Sequence, residues 1–327
     1  MTTVLAGDIG GTNARFVLFR DGKFQTETFQ VMPVGEYHDL GDAVADYLTS
    51  QNVGSPDQAT FSFASTHEYC DEMALTNSKL TVSVSGLVKR FKLQRARVVN
   101  DFTAAAVGIL SLSASELQEI SAGVIDPLGP KAVLGPGTGL GVSGLIYTGE
   151  FWLPLQSQGG HVSMAGQNER ELQVYRHMAS VFGHVSAERY LSGPGTVNLY
   201  AALRSIDGLP IEYTNASEIT SRAMTGECAS CVETMQIFCR WLGVIAGNLA
   251  VTLGSTGGIY LAGGIVPQLG DYFLQSGFVE ALQYKGRFSE FVAEMPVYLV
   301  KGGDPALYGS VTCLKNHYDG FGFTVDG

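Results

Sequence analysis

The stretch VLAGDIGGTNARFVLF at residues 4–19 decides the fold. It holds two apolar runs separated by a turn of glycine, threonine and asparagine, a pattern that predicts a β-hairpin. The pattern returns at residues 132–147 (AVLGPGTGLGVSGLIY), again with glycine and threonine at the tip. Glycine tips let backbone N–H groups converge on an anion. Two echoed tips therefore predict that a polyphosphate is held from two sides.

Strand-like and helix-like segments alternate around both hairpins. Apolar spacing predicts helices at residues 37–48, 102–112, 169–182 and 231–253, and a last helix from Ala306 to about His317. Short apolar runs predict strands at residues 59–64, 97–99, 259–262 and 297–300. Such alternation indicates α/β layers. A chain of 327 residues is too long for one compact core, so we expect two domains with a boundary near Leu110.

Composition and charge exclude several classes of protein. Hydrophobic residues make up 45% of the chain and charged residues 16%, which is typical of a globular protein. A formal net charge of -11 without a Lys/Arg run argues against a nucleic-acid partner. The P-loop pattern G-x-x-x-x-G-K-[ST] does not occur. Residues 139–144 (GLGVSG) match a dinucleotide motif, but a strand-like segment follows them where that fold needs a helix.

Location and cysteine chemistry follow from similar arguments. Without a basic segment and apolar run at the N-terminus, we expect reduced thiols and a cytoplasmic protein. Residues 241–267 carry no charge and could span a bilayer, but Asn248 and a glycine-rich break favour a buried helix, turn and strand, so we expect no membrane partner. Cys228, Cys231 and Cys239 suggest a zinc cluster, yet no fourth ligand is evident and inert thiols are favoured.

Three residues stand out for chemistry. Asp8 in the first tip is placed to orient Mg²⁺ or its waters, because Mg²⁺ prefers oxygen ligands. Asp101 follows a predicted strand and precedes a helix, which aims a carboxylate into a cleft, although an aspartate there also suits a helix N-cap. His161 follows two glycines, where the backbone can approach a ligand closely. A structural histidine is the alternative interpretation.

Further segments carry a resemblance to a known family. Besides the two tips, they are residues 99–104 (VNDFTA), 159–162 (GGHV), 184–195 (HVSAERYLSGPG), 257–267 (GGIYLAGGIVP) and 286–288 (GRF). Together they resemble the bacterial glucokinases of the actin/Hsp70/hexokinase superfamily. The resemblance implies an α/β, actin-like (ribonuclease H-like) ATPase fold with an interdomain cleft for ATP and hexose. It also implies a small domain of residues 1–110 with about 301–327, and a large domain of residues 111–300.

The resemblance further implies a site, residue by residue. Asp101 would act as general base for the hexose 6-hydroxyl as it attacks the γ-phosphate of MgATP. The residues expected to bind the sugar are Asn100, Asp101, Gln158, His161 and Glu188. Those expected to bind ATP are Gly7, Asp8, Ile9, Gly10, Gly11, Thr12, Asn13, Gly137, Thr138, Gly139, Gly263 and Gly264. Mg²⁺ is expected at Asp8 through water, and the resemblance implies a homodimer.

Two departures from the family pattern concern the sugar side. Gln158 stands where the family usually has a glutamate, which removes a charge. Residues 65–71 (STHEYCD) lack a proline and a glycine of the relatives, and Leu80 replaces a tryptophan. The predicted function is an ATP-dependent hexose kinase of glycolysis, with glucose before mannose or another hexose. The alternatives are a non-kinase actin-like ATPase and a sugar-binding regulator.

Overall fold

The chain folds into two compact units. A computed structural model describes residues 2–64, 70–74 and 79–327, so the divergent residues 65–69 and 75–78 lie outside the described residues. The first unit comprises Met1–Leu112 with Gly303–Gly327, and the second comprises Ser113–Gly302.

The first unit is built on a mixed β-sheet. Its described strands, numbered along the whole chain, are β1 (Thr3–Ile9), β2 (Asn13–Arg20), β3 (Lys23–Phe24), β4 (Gln30–Pro33), β5 (Gln58–Phe63), β6 (Glu72–Ala74), β7 (Thr81–Ser83), β8 (Arg95–Val99) and β15 (Phe323–Asp326). Its described helices are α1 (Leu40–Ser50), α2 (Val84–Phe91), α3 (Asp101–Gly108) and α12 (Pro305–Thr312). The sheet runs in the order β15-β8-β5-β1-β2-β3, with β4 also on β2, while β6 and β7 pair separately. Because β1, β5 and β8 are parallel, the ends that lead to Asp8 and Asp101 lie at one edge of the sheet.

The predicted first hairpin is confirmed. β1 and β2 pair antiparallel, with Asp8 opposite Arg15, and Gly10 N donates to Asn13 O at 2.9 Å to close the tip. The side chains of Leu5, Phe16 and Leu18 enter the core of this unit, together with residues of α1 and α2. The tip is thereby fixed at both ends by buried strands.

Helices α3 and α12 pack with their backbones in close contact. A Cβ atom on Gly108 would collide with Pro305 O, and a Cβ atom on Gly309 would collide with Ala104 O. Since neither glycine carries a side chain, the two helix axes can approach closely. The C-terminal helix therefore fixes the helix that begins at Asp101.

The prediction for the last 20 residues of the chain was partly wrong. The helix expected to reach about His317 ends at Thr312, and a 3₁₀ turn at Asn316–Tyr318 follows. The unpredicted strand β15 then pairs antiparallel with β8, and Phe323 and Val325 pack against the core. The helix predicted at residues 102–112 is also shorter, because α3 ends at Gly108 and a 3₁₀ turn replaces its last residues.

The second unit repeats the plan of the first. Its described strands are β9 (Leu117–Ser121), β10 (Lys131–Pro136), β11 (Leu140–Tyr147), β12 (Trp152–Pro154), β13 (Ile259–Leu261) and β14 (Val297–Val300). Its described helices are α4 (Glu169–Phe182), α5 (Gly193–Ile206), α6 (Ala216–Thr225), α7 (Ala229–Leu253), α8 (Ile265–Leu269), α9 (Asp271–Leu274), α10 (Phe278–Gln283) and α11 (Ser289–Ala293). The sheet order is β12-β11-β10-β13-β14-β9, with β10, β13 and β14 parallel. In both units the first strand of the glycine-tipped hairpin has two parallel strands beside it in the sheet, β5 and β8 next to β1, and β13 and β14 next to β10. The repeated sequence pattern therefore corresponds to a repeated arrangement of strands.

Helix α7 is the central helix of the second unit. It is long and apolar enough to cross a membrane by length and composition, but 61% of its most apolar window is buried inside the protein. Trp241, Phe238 and Leu242 on this helix lie fully within the core, and the helix as a whole packs against α10 and β10. The buried-helix interpretation of this segment is confirmed.

Candidate functional site

Asp8 lies at the end of β1, beside the first glycine tip. Its Oδ1 accepts a hydrogen bond from Ser62 Oγ at 3.0 Å, and its Oδ2 accepts one from Arg15 Nη1 at 3.0 Å. Burial raises the pKa of the Asp8 carboxyl, and the positive charge of Arg15 opposes that rise. The carboxylate is thus held in a fixed orientation, with 19% of the side chain exposed.

Asn100, rather than Asp101, caps the helix that follows β8. Asn100 Oδ1 accepts from Thr103 N at 2.9 Å, and its extended backbone (φ -65°, ψ 141°) is that of an N-cap residue. The N-cap alternative for Asp101 is therefore wrong. Asp101 is the first residue of α3, where a carboxylate is favoured by the helix dipole.

Asp101 has the properties of a proton acceptor. Its Oδ1 accepts from Phe102 N at 2.8 Å and from Asn100 Nδ2 at 3.0 Å. Burial raises the pKa of the Asp101 carboxyl to about 6, the negative charge of Asp8 adds to the rise, and these hydrogen bonds limit it. A carboxylate of this pKa is ionised at neutral pH and still basic enough to accept a proton.

Asp304 is a third carboxylate of the first unit, and sequence reasoning missed it. It precedes the first residue of α12, and its Oδ1 lies 3.9 Å from Arg15 Nε. Burial raises the pKa of Asp304, Arg15 lowers it, and the charge of Asp8 raises it further. Arg15 is thus an ionic partner of both Asp8 and Asp304. The available signal in the sequence was an acidic residue directly before a proline. That pattern is typical of a helix start, so it does not by itself indicate a functional carboxylate.

The second glycine tip is held at both of its ends. Gly193 N donates to Gly137 O at 2.8 Å on one side, and Leu140 N donates to Glu188 Oε2 at 2.8 Å on the other. A Cβ atom on Gly139 would lie 2.5 Å from that same carboxylate oxygen. A side chain at position 139 would therefore displace the Glu188 carboxylate from the tip.

The short turn that contains His161 packs against β11, the strand that leaves the second tip. Gly159–His161 form a 3₁₀ turn, and a Cβ atom on Gly160 would collide with Leu140 O. Gln158 and His161 are exposed, and His161 O is 3.2 Å from His184 Nε2. The second unit thus brings Gln158, His161 and Glu188 close to the same end of β11.

A further pair of glycines, Gly263 and Gly264, lies against the end of β10. Gly263 has φ +107°, a backbone conformation that favours glycine, and a Cβ atom there would lie 2.8 Å from Pro136 O. Gly263 and Gly264 are exposed and follow β13 directly. The second glycine tip, which follows β10, and the Gly263–Gly264 pair, which follows β13, therefore lie next to each other in the second unit.

The cysteines take up ordinary positions. Cys228 Sγ caps α7 by accepting from Cys231 N at 3.3 Å, and Cys239 is buried in the core. Among the described residues, no group of three or more His, Cys, Asp or Glu side chains is arranged to hold a metal ion. Burial is the main cause that raises the pKa of the Cys239 thiol to about 12, which keeps it protonated.

Comparison with known proteins relates this geometry to a family. A family profile described as Glucokinase matches residues 5–317. A glucokinase of Aromatoleum aromaticum is 42% identical over 313 residues, covering 95% of this chain and 94% of the relative. The chain belongs to the glucokinase family.

Solved structures agree with the assignment to the glucokinase family. A glucokinase from an Antarctic psychrotroph superimposes with a TM-score of 0.83 at 34% identity, covering 96% of this chain and 99% of the other. A glucokinase from Balamuthia mandrillaris, solved with glucose, superimposes with a TM-score of 0.79 at 20% identity, covering 95% of this chain and 93% of the other. The predicted actin-like α/β fold is confirmed. The chain is an enzyme, a sugar phosphotransferase with glucokinase function, rather than a non-kinase ATPase or a regulator.

Individual site roles stay predictions within the glucokinase family. The first unit places residues 7–13, Asn100 and Asp101 at one edge of its sheet. The second unit places Gly137, Thr138 and Gly139 beside Glu188 and near His161. Sequence reasoning missed two features: Asp304 as a partner of Arg15, and the contact between Glu188 and the second tip.

Proposed function

We propose that the chain transfers the γ-phosphoryl group of MgATP to the 6-hydroxyl of glucose, with Asp101 as general base. The observation that supports this role is the Asp101 carboxyl itself. It is held at the start of α3 by two hydrogen bonds and has a pKa of about 6. In the transfer, the hydroxyl proton passes to Asp101, the sugar oxygen bonds to the γ-phosphorus, and the bond to the β-phosphate oxygen breaks to leave ADP.

Membership of the glucokinase family implies use of ATP, and the glycine tips supply a means of binding it. Glycine tips expose backbone N–H groups that can bind phosphate oxygens. Thr12 and Thr138 are exposed at the two tips, so their hydroxyl groups are available to a ligand. We assign the first tip, Gly7 to Asn13, the second tip, Gly137 to Gly139, and the pair Gly263 and Gly264 to nucleotide binding.

The carboxylates of the first unit fit a divalent cation carried by the nucleotide. Asp8 supplies oxygen ligands, which Mg²⁺ prefers. Among the described residues, Arg15 is the positive group that ion-pairs with Asp8 and Asp304. Asp8, whose two carboxylate oxygens each accept one hydrogen bond, would hold Mg²⁺ through water. When bound, Mg²⁺ would neutralise charge on the β- and γ-phosphates.

Sugar recognition is assigned to Asn100, Gln158, His161 and Glu188 together with Asp101. Buried polar groups that lose their partner are costly, so a polar pocket distinguishes epimers. Asn100 has one function already, because its amide oxygen caps α3 and its amide nitrogen binds Asp101. Its replacement would therefore disturb the base as well as the sugar. Gln158 in place of a glutamate exchanges one acceptor oxygen for an NH₂ donor, and we expect this exchange to affect the preference for glucose over mannose.

One assay tests the proposed reaction. ADP release from MgATP is followed with no sugar, then with glucose, mannose, fructose and N-acetylglucosamine. Release that depends on glucose, with glucose 6-phosphate formed in equal amount, is the expected result. Equal release without sugar, or product formed only from another hexose, would contradict the assignment. Asp46→Asn is a control for a variant of Asp101 in this assay, since Asp46 is an exposed aspartate whose carboxylate accepts from Tyr37 Oη at 2.7 Å.

Two further predictions from the resemblance accompany this function. We propose a homodimer and a cytoplasmic enzyme. Sedimentation equilibrium over a range of protein concentrations tests the first, and a single monomer mass throughout would contradict it. Fractionation of cells into soluble and membrane portions tests the second.

A further inference from the structure

The corner between the 3₁₀ turn Ala187–Arg189 and helix α5 contacts two separate glycine turns. Ala187 N donates to Val162 O at 2.9 Å, which joins the corner to the turn that carries His161. Glu188 Oε2 and Gly193 N hold the two ends of the second tip. One short segment therefore touches both the proposed sugar side and the proposed phosphate side of the second unit.

We propose that Glu188 is a positioning residue for the second phosphate tip in addition to a sugar ligand. Its Oε2 fixes the Leu140 N–H, and its Oε1 is left for a sugar hydroxyl. The inference rests on the proposed function, and it extends that function by giving Glu188 a role in nucleotide affinity that needs no sugar.

The backbone around Glu188 is rigid enough for this role. Glu188 O accepts from Ser192 Oγ at 2.8 Å, and Ser192 Oγ accepts in turn from Gly195 N at 2.9 Å as the N-cap of α5. Arg189 N donates to Ser186 O at 3.0 Å within the turn. Because the backbone at Glu188 is fixed by these bonds, its carboxylate can hold the backbone N–H of Leu140 in a defined position.

The contact with the tip is close and charge-assisted. Leu140 is buried and its N–H donates to a carboxylate oxygen at 2.8 Å, within the range of a strong hydrogen bond. A Cβ atom on Gly139 would lie 2.5 Å from Oε2 but 4.0 Å from Oε1, so the two oxygens have different surroundings. Among the described residues, Oε1 accepts no hydrogen bond, which leaves it able to accept one from a hydroxyl.

Two uncharged variants separate the effect of the hydrogen bond from Leu140 N to Glu188 Oε2, called the brace below, from the effect of the charge. Glu188→Gln keeps an oxygen that can accept from Leu140 N, whereas Glu188→Ala does not. Both remove the negative charge that would repel a phosphate, so a difference between them does not come from that charge. Glu188→Asp keeps the charge but withdraws the oxygen by one methylene, and it serves if Glu188→Ala fails to fold. His161→Ala is the control for loss of a sugar contact without loss of the brace.

The experiment measures hydrogen exchange of peptides that cover residues 137–141, and ADP affinity by calorimetry, both without sugar. We expect exchange at Leu140 several-fold faster in Glu188→Ala than in Glu188→Gln, since a hydrogen bond to a neutral acceptor such as the glutamine amide oxygen is worth roughly a factor of two to ten. ADP should bind more weakly to Glu188→Ala than to Glu188→Gln. Glu188→Asp should exchange faster than the unmodified protein, and His161→Ala should match it.

Equal exchange and equal ADP affinity in Glu188→Ala and Glu188→Gln would overturn the inference. In that case, glucose-dependent ADP release by the unmodified protein would leave the proposed function standing. If exchange at Leu140 depends on Glu188 but the unmodified protein binds no ADP, the brace is real and its assignment to a phosphate tip is overturned, along with the proposed function.

Discussion

Arg15 Nη1 donates to Asp8 Oδ2 at 3.0 Å across the first hairpin, where the two residues are direct partners in the antiparallel register. The pairing places one positive charge at the edge of the sheet where the negative charge of Asp8 raises the pKa of both Asp101 and Asp304. Since Arg15 also approaches Asp304, its guanidinium lowers the pKa of both Asp8 and Asp304 and opposes the effect of burial on them.

Replacement of Arg15 should therefore weaken the response to Mg²⁺. In Arg15→Gln, the pKa of Asp8 should rise because its neighbouring cation is lost, and the concentration of free Mg²⁺ needed for half-maximal rate should increase several-fold. A titration of rate against free Mg²⁺ at fixed nucleotide measures this. Arg20→Gln is the matched control, because Arg20 lies on the same strand and is exposed. An unchanged Mg²⁺ requirement in Arg15→Gln would argue against the role given to Arg15.

The pKa of Asp101 predicts the acid limb of the pH profile. A general base must be ionised, so activity is retained above its pKa and lost below it. With a pKa of about 6, kcat should fall about tenfold for each pH unit below that value. Steady-state rates at saturating glucose and MgATP between pH 4.5 and 8 measure this, with nucleotide ionisation checked separately. A flat profile down to pH 5 would contradict the assignment.

Asp101 should also lower the stability of the fold at neutral pH. The pKa of Asp101 is about 6 in the folded protein against an ordinary value of 3.8, so the folded state binds the proton more tightly. The ionised group therefore destabilises the protein as pH rises from the lower value through the higher one. Asp101→Asn should be more stable than the unmodified protein at pH 8, by up to about 3 kcal/mol, and equal to it near pH 4. Urea unfolding at the two pH values tests this, and an equal difference at both would contradict it.

The contact between α3 and α12 predicts a sensitive position remote in sequence from the base. In Gly309→Ala, the new methyl group would collide with Ala104 O and push the helices apart. The expected loss of stability is about 2 kcal/mol or more, because the blocking atom belongs to the backbone and cannot rotate away. Chemical denaturation measures the loss. Gly35→Ala is the control, since no atom of the described residues lies within 4 Å of its added Cβ, and equal losses in both would refute the steric explanation.

The glycine tips and the main helices could be predicted from sequence because their signals are local. Glycine and threonine between two apolar runs define a hairpin within 16 residues. Strand β15 was missed because its few residues become a strand only by pairing with β8, which is distant along the chain.

The fine structure of the site was predictable only in part. Asn100 and Asp101 are both good capping residues, so sequence alone could not decide whether Asp101 caps α3 or is left to act as a base. The bond from Leu140 N to Glu188 joins residues 48 positions apart, and the approach of Asp304 to Arg15 depends on the return of the C-terminal helix. Long-range contacts of this kind leave no periodic signal in a sequence.

The central claim is that the Asp101 carboxylate accepts the proton of the attacking hydroxyl. Rapid-quench measurement of a single turnover, with glucose and MgATP bound to Asp101→Asn, tests it most directly. Both ligands should still bind, and phosphoryl transfer should be slower by about a hundredfold or more than in the unmodified protein. Transfer at the unmodified rate in that variant would contradict it.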